Sequence, residues 1–146
     1  MGSQADALEA ESRWAESQMA AGDAAGALGL VEIALRHAHA MDGLAPQIPL
    51  LHRVRGAALA SLGDDPGAVA ELRRSLEVAR IRRVEFDEAL TLRLMAQLGI
   101  DYEGQSAAAL GQESTRIFES LGVVDAFDLA PELARTSVAD DEPLPA

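Results

Sequence analysis

The stretch Gly22-Asp-Ala-Ala-Gly-Ala-Leu-Gly-Leu-Val-Glu-Ile-Ala34 is echoed 41 positions later by Gly63-Asp-Asp-Pro-Gly-Ala-Val-Ala-Glu-Leu-Arg-Arg-Ser75. Gly22, Asp23, Ala27, Val31 and Ala34 correspond in turn to Gly63, Asp64, Ala68, Leu72 and Ser75. A small residue at a turn, followed by small and large apolar residues at fixed helical spacing, is the pattern of stacked helical hairpins. Repeats of this kind build surfaces rather than catalytic pockets.

Reading outward, the three- and four-residue spacing of Leu8, Ser12, Ala15 and Met19 predicts a first helix over 5–21, with Trp14 alongside. Ala27, Leu28, Val31, Ala34, Leu35 and Ala38 form the stripe of a second helix over 24–41. Pro46 suits the first turn of a third helix running to Gly63, where its missing N–H costs little. Asp65 and Pro66 read as N-cap and first position of a fourth helix over 66–82. A fifth helix is expected over 86–98 and a sixth over 106–121, joined by a longer, less regular connection. Phe127, Leu129 and Leu133 suggest a short final helix over the last hairpin. Residues 5–135 are therefore expected to form one helical-repeat domain, followed by a disordered acidic tail, 136–146. The fold class is all-α: a right-handed α-α superhelix of about three hairpins, with six main helices and a short C-terminal one.

Composition narrows the function. The 146 residues carry a formal charge of −12, which repels polyanions, so nucleic acid is not an expected partner. No run approaches the roughly 18 apolar residues of a membrane span, and no signal peptide is legible, so a cytoplasmic location without membrane association is expected. The absence of cysteine removes disulfides, thiol nucleophiles and thiolate metal sites. All 12 basic residues are arginine, and only 3% of residues are aromatic. With the strong helix formers Ala, Leu, Glu and Arg so frequent, the composition favours helix throughout.

Numbered within one repeat from Pro49, the second hairpin places Gly56 at position 8, Leu59 at 11, Ala68 at 20, Leu72 at 24 and Ser75 at 27. In this it resembles a tetratricopeptide repeat, with a period longer than the usual ~34 residues. The first hairpin, with Ala15, Gln18, Ala27, Val31 and Ala34 at those positions, matches less closely. The runs Ala45-Pro-Gln-Ile-Pro-Leu-Leu-His-Arg-Val-Arg-Gly56, Phe86-Asp-Glu-Ala-Leu-Thr-Leu-Arg93 and Phe118-Glu-Ser-Leu-Gly-Val-Val124 are more specific. They resemble the C-terminal helical-repeat arm of large actinobacterial signalling proteins that join a class III cyclase-like domain to a STAND-type P-loop ATPase. The resemblance covers most of residues 8–124 and implies a regulatory arm that senses or holds a partner. No G-x-x-x-x-G-K-[ST] loop occurs, so ATP hydrolysis does not transfer with it.

Neither catalysis nor a metal site is expected. His37 and His39 stand two apart, about 200° around a helix, and cannot grip one ion together. No serine sits in a G-x-S-x-G elbow, and no cofactor motif is present. Arg73, Arg74, Arg80, Arg82 and Arg83 cluster at the fourth helix, where Glu71, Glu77 and Glu85 are expected to neutralise them along a solvated face.

The tetratricopeptide resemblance implies a concave face lined by the first helix of each hairpin. Its residues would be Ser12, Glu16 and Met19, then Leu50, Arg53, Ala57 and Ser61, then Phe86, Arg93 and Gln97. A lining that sets Arg53 and Arg93 among small residues suits a protein or peptide segment held by its carboxylates or backbone. Two alternatives stand beside this reading: a small ligand among Trp14, Arg53 and their neighbours, and a homodimer formed through an open end of the superhelix.

Overall fold

The computed structural model describes residues 3–124, which form six α-helices and no strands. They are α1 (Gln4–Ala20), α2 (Ala24–Met41), α3 (Ile48–Ser61), α4 (Asp65–Arg82), α5 (Glu85–Gln97) and α6 (Ala107–Leu121). Consecutive helices pair as three antiparallel hairpins, α1/α2, α3/α4 and α5/α6, and each hairpin packs on the next. Contacts of α1 with α3 and of α3 with α5 carry the first helices along one side of an α-α superhelix. The expected helix around Phe127, Leu129 and Leu133 and the tail 136–146 lie outside the described residues.

The sequence echo is reproduced in geometry. Gly22 and Gly63 both turn at φ +88°, a left-handed conformation that glycine adopts without strain. The next residue caps a helix in both cases: Asp23 Oδ1 accepts from Gly26 N at 2.9 Å and Asp64 Oδ1 from Gly67 N at 3.0 Å. The cap of α4 is therefore Asp64 and not Asp65, which becomes the first helical residue with Pro66 behind it. Pro46 likewise stays in the turn before α3, and Pro49 occupies the first turn instead. At α4 the difference arises because its entrance copies that of α2, so the matching aspartate takes the cap.

Close packing explains the small residues. A Cβ on Gly56 would come within 2.8 Å of Leu72 Cγ, so α3 and α4 approach each other through a glycine. Leu51, Leu72, Leu76, Leu92, Met95 and Leu110 are fully buried along the stack. Each such side chain contributes about 1.5–3 kcal/mol relative to exposure.

Hydroxyl groups link neighbouring helices, within the second and third hairpins and, through Ser75 and Thr91, between them. Ser75 Oγ donates to the Pro49 carbonyl at 2.8 Å and lies 2.8 Å from Thr91 Oγ1. Ser114 Oγ donates to the Ala89 carbonyl at 2.7 Å. The third hairpin departs from the others at its turn, as its sequence suggests. Tyr102 and Gln105 exchange backbone hydrogen bonds of 3.0 and 2.9 Å, and Asp101 Oδ1 accepts from Ala107 N at 2.9 Å. The buried Tyr102 ring lies beneath the guanidinium groups of Arg73 and Arg80, at 5.6 and 6.0 Å. No helix among the described residues is long and apolar enough to cross a membrane.

Candidate binding groove

A groove of about 520 Å³ runs across the first helices of the three hairpins. Glu9, Arg13 and Glu16 of α1 form one wall, Pro46, Gln47, Leu50 and Arg53 the floor, and Phe86, Asp87, Leu90, Arg93, Leu94 and Gln97 of α5 the other wall. Spacings of three and four residues bring each set to one side of its helix.

Arg53 is the central group. Only 5% of its side chain is exposed, and its Nη1 lies 3.3 Å from Asp87 Oδ1 on α5. Burial pushes its pKa down, Asp87 and then Glu16 pull it back up, and Arg93 acts in the same direction as burial. A guanidinium offers five N–H donors. Among the described residues no buried side-chain nitrogen lacks a partner. Arg53 lines the groove, and the small exposed part of its side chain is what a ligand there could meet.

The two walls differ in charge. On α1, two carboxylates flank one guanidinium: Arg13 Nε is 2.8 Å from Glu9 Oε1 and its Nη1 is 3.6 Å from Glu16 Oε1. Glu9 also accepts from Gln47 Nε2 at 2.6 Å, tying α1 to the start of α3. Hydrogen bonds from Gln47 and Arg13 hold Glu9 below its ordinary pKa. On the floor and the α5 wall, Arg53 and Arg93 outnumber Asp87. Arg93 lies 5.6 Å over the Phe118 ring of α6, and Phe118 meets Phe86 edge-on at 6.0 Å. Apolar surface from Leu50, Leu90, Leu94 and Phe86 lies between the charges.

Of the residues implied by the tetratricopeptide resemblance, Glu16, Leu50, Arg53, Phe86, Arg93 and Gln97 come together here. Ser12, Met19 and Ala57 do not, because they are buried in the stack. On α1 the groove stripe is Glu9, Arg13 and Glu16, one position around from the core stripe of Leu8, Ser12, Ala15 and Met19. Ser12 is accepted in the core because its hydroxyl donates to the Leu8 carbonyl at 2.7 Å. Ser61 lies beyond the groove at the end of α3. Trp14, expected beside Arg53 in the small-ligand reading, lies outside the groove and is 58% exposed. With the Gln18 amide turned to suit both neighbours, its oxygen accepts from Trp14 Nε1 and its nitrogen donates to Asp23 Oδ2, each at 3.1 Å.

Within the basic cluster, Arg80 and Arg82 serve the fold through partners other than the glutamates expected to neutralise them. Arg80 pairs with Glu88 at 2.6 Å and Glu113 at 3.6 Å, joining α4 to α5 and α6. Arg82 donates to the carbonyls of Ala45 and Gly43, at 2.7 and 2.9 Å, stapling the end of α4 to the α2–α3 connection. Glu71 turns inward, away from the cluster. It lies 2.7 Å from His52 Nδ1 and accepts from Arg55 Nη1 at 2.6 Å. Burial pushes the Glu71 pKa up, but the bonds and charges of His52 and Arg55 outweigh it and hold the carboxyl below its ordinary value. His37 pairs with Glu11 of α1 at 2.9 Å. No cluster of histidines and carboxylates among the described residues is arranged to hold a metal ion.

In comparisons with known proteins, no family model matches the chain, and no curated protein or solved structure shows significant similarity to it.

Proposed function

We propose that this protein is a non-catalytic interaction module that holds a peptide segment of a protein partner in the groove across α1, α3 and α5. The observation that carries the reading is Arg53: a nearly buried guanidinium, paired with Asp87, that lines the groove. Such a group is desolvated and pre-positioned, so a carboxylate meeting it gains a charge-assisted bond with little loss of side-chain freedom. Leu50, Leu90, Leu94 and Phe86 favour an apolar residue next to that carboxylate. The resemblance of 45–56, 86–93 and 118–124 to the helical arm of cyclase-like/STAND ATPase regulators supports a regulatory role in signalling.

Panning a displayed random-peptide library against the full chain tests the binding reading. Enriched peptides should carry Asp or Glu beside an apolar residue and bind Arg53→Met at least about tenfold more weakly, as expected for one lost bond between charged groups. Enrichment without that motif, or equal binding by Arg53→Met, overturns it. The signalling assignment is tested by reading the genomic frame upstream of Met1 for a P-loop.

A further inference from the structure

The first hairpin leaves open a face that the second hairpin buries. Shifted by the 41-residue period, Ala7, Glu11 and Trp14 of α1 correspond to Ile48, His52 and Arg55 of α3. Ile48 and His52 are buried, and Arg55 reaches back to Glu32 of α2 at 3.6 Å, so in the second hairpin this face packs toward the first. At the matching positions of the first hairpin, Ala7 is exposed and Trp14 is 58% exposed.

Two features of the open face fit each other. One is a knob, the indole of Trp14, which is the chain's single tryptophan. Its Nε1 is satisfied by the Gln18 oxygen once that amide is turned, so the ring can be buried without stranding a donor. The other is a hollow of about 280 Å³ between α1 and α2, lined by Ala7, Leu8, Ala40 and Met41 together with the bonded pair Glu11 and His37. Glu11 follows Ala7 by four residues and Trp14 follows Glu11 by three, so knob and hollow share one side of α1, about 10 Å apart along the helix.

A surface that carries both a knob and a hollow is self-complementary under a two-fold rotation. With the axis crossing α1 between Ala10 and Glu11, an antiparallel second copy sets each Trp14 over the other's hollow, and both contacts form at once. Glu11 lies level with His37, so the same axis crosses α2 between His37 and Ala38. It sets Ile33 of one copy beside Met41 of the other, and Arg36 within about one helical turn of the other's Asp42. The two Glu11 carboxylates approach the axis, each bonded to its own His37 at 2.9 Å. Asp6 and Asp23, the remaining carboxylates near this face, are turned to their caps, Ser3 and Gly26. Side by side, α1 and α2 present a face about 25 Å long and about 18 Å wide, at the small end of specific interfaces, which suits a dimer of micromolar strength.

We propose that a second copy of this chain docks on the open face of α1 and α2, related by a two-fold axis, with each Trp14 seated in the other's hollow. Glu9, Arg13 and Glu16 line the groove from another side of α1, so both grooves stay open and the dimer presents two of them. The proposal does not depend on what fills the groove.

Sedimentation equilibrium of the full chain between about 5 and about 500 µM tests it. The average mass should climb from one chain toward two, and the emission of the single tryptophan should move to shorter wavelength over the same range. Trp14→Ala and Ala7→Arg should each weaken association at least about tenfold, as expected for loss of a buried tryptophan contact, while Ile81→Ser, on an exposed site of α4, leaves it unchanged. Both replaced side chains are exposed, so helix content by circular dichroism should not change. Trp14→Ala keeps the hollow and Ala7→Arg keeps the knob, so a mixture regains one contact and should associate more strongly than either variant alone. A chain that stays monomeric throughout, association undiminished in Trp14→Ala, or assemblies larger than a dimer would overturn the proposal. The absence of any gain on mixing would overturn it as well.

Discussion

Arginine has two different roles on the two sides of this molecule. Away from the groove, Arg55, Arg80 and Arg82 are held by partners on other elements: Glu71 and Glu32, Glu88 and Glu113, and two loop carbonyls. In the groove, Arg53 is more deeply buried than any of these, yet its one close carboxylate, Asp87, stands at 3.3 Å. The difference teaches that burial alone does not mark a structural charge. What distinguishes the two groups is the setting: Arg55, Arg80 and Arg82 each meet two groups on other elements, whereas Arg53 lines the groove beside Asp87.

That contrast can be broken at several points. The largest effect is expected from Glu71→Leu, which leaves His52 and Arg55 without their buried partner. Loss of one member of such a set costs about 3–5 kcal/mol, read as a fall in the urea midpoint. Arg82→Ala should cost about 1.5–3 kcal/mol by removing two charge-assisted bonds to carbonyls, with peptide affinity unchanged. Thr91→Val removes one of the two partners of Ser75, the other being the Pro49 carbonyl, and should cost about 1 kcal/mol by the same measurement. Arg53→Met should reverse the pattern. Its destabilisation should stay near or below about 1 kcal/mol because Asp87, 19% exposed, regains water from the groove, whereas affinity for acidic peptides collapses.

A pH titration sharpens the same comparison. The folded-state pKa of Glu71 is lowered, so its contribution is fully present above the ordinary value of 4.5 and is lost as pH falls through the lowered folded value. Stability of the wild type should therefore decline on acidification below about pH 4.5, and Glu71→Gln should show a shallower decline over that window. An identical slope in the two proteins would place the acid sensitivity elsewhere.

The hairpins were legible because their signals are local. The Val31 and Leu72 stripes need only the helical period, and the caps act within three residues, although at α4 the sequence points to Asp65 where Asp64 does the capping. On α1 the lining carried over from the repeat resemblance held at Glu16 but not at Ser12 and Met19, which belong to the core stripe that their own spacing with Leu8 and Ala15 marks; there Ser12 is satisfied by the Leu8 carbonyl. Arg53 and Asp87 stand 34 residues apart, and Glu71 and His52 stand 19 apart. Periodicity reports the face on which a charge sits but not what it meets there, so these pairings became visible only once the hairpins were stacked. Arg80, Arg82 and Glu71 of the basic cluster escaped the sequence for the same reason, since their partners in space are not their neighbours along α4.

The hydroxyl bonds of Ser75, one within its hairpin and one to the next, have a mechanical consequence. Surfaces made largely of alanine and leucine can slide past one another with little change in contact, so apolar packing alone sets a poor pitch. Ser75 reaches both the Pro49 carbonyl and Thr91 at one relative rotation of α3, α4 and α5, and acts as a detent on that rotation. The position of the α5 wall over the α3 floor depends on the same rotation. Pitch and that wall are thus coupled, and an occupant that pushes α5 outward also applies torque along the stack.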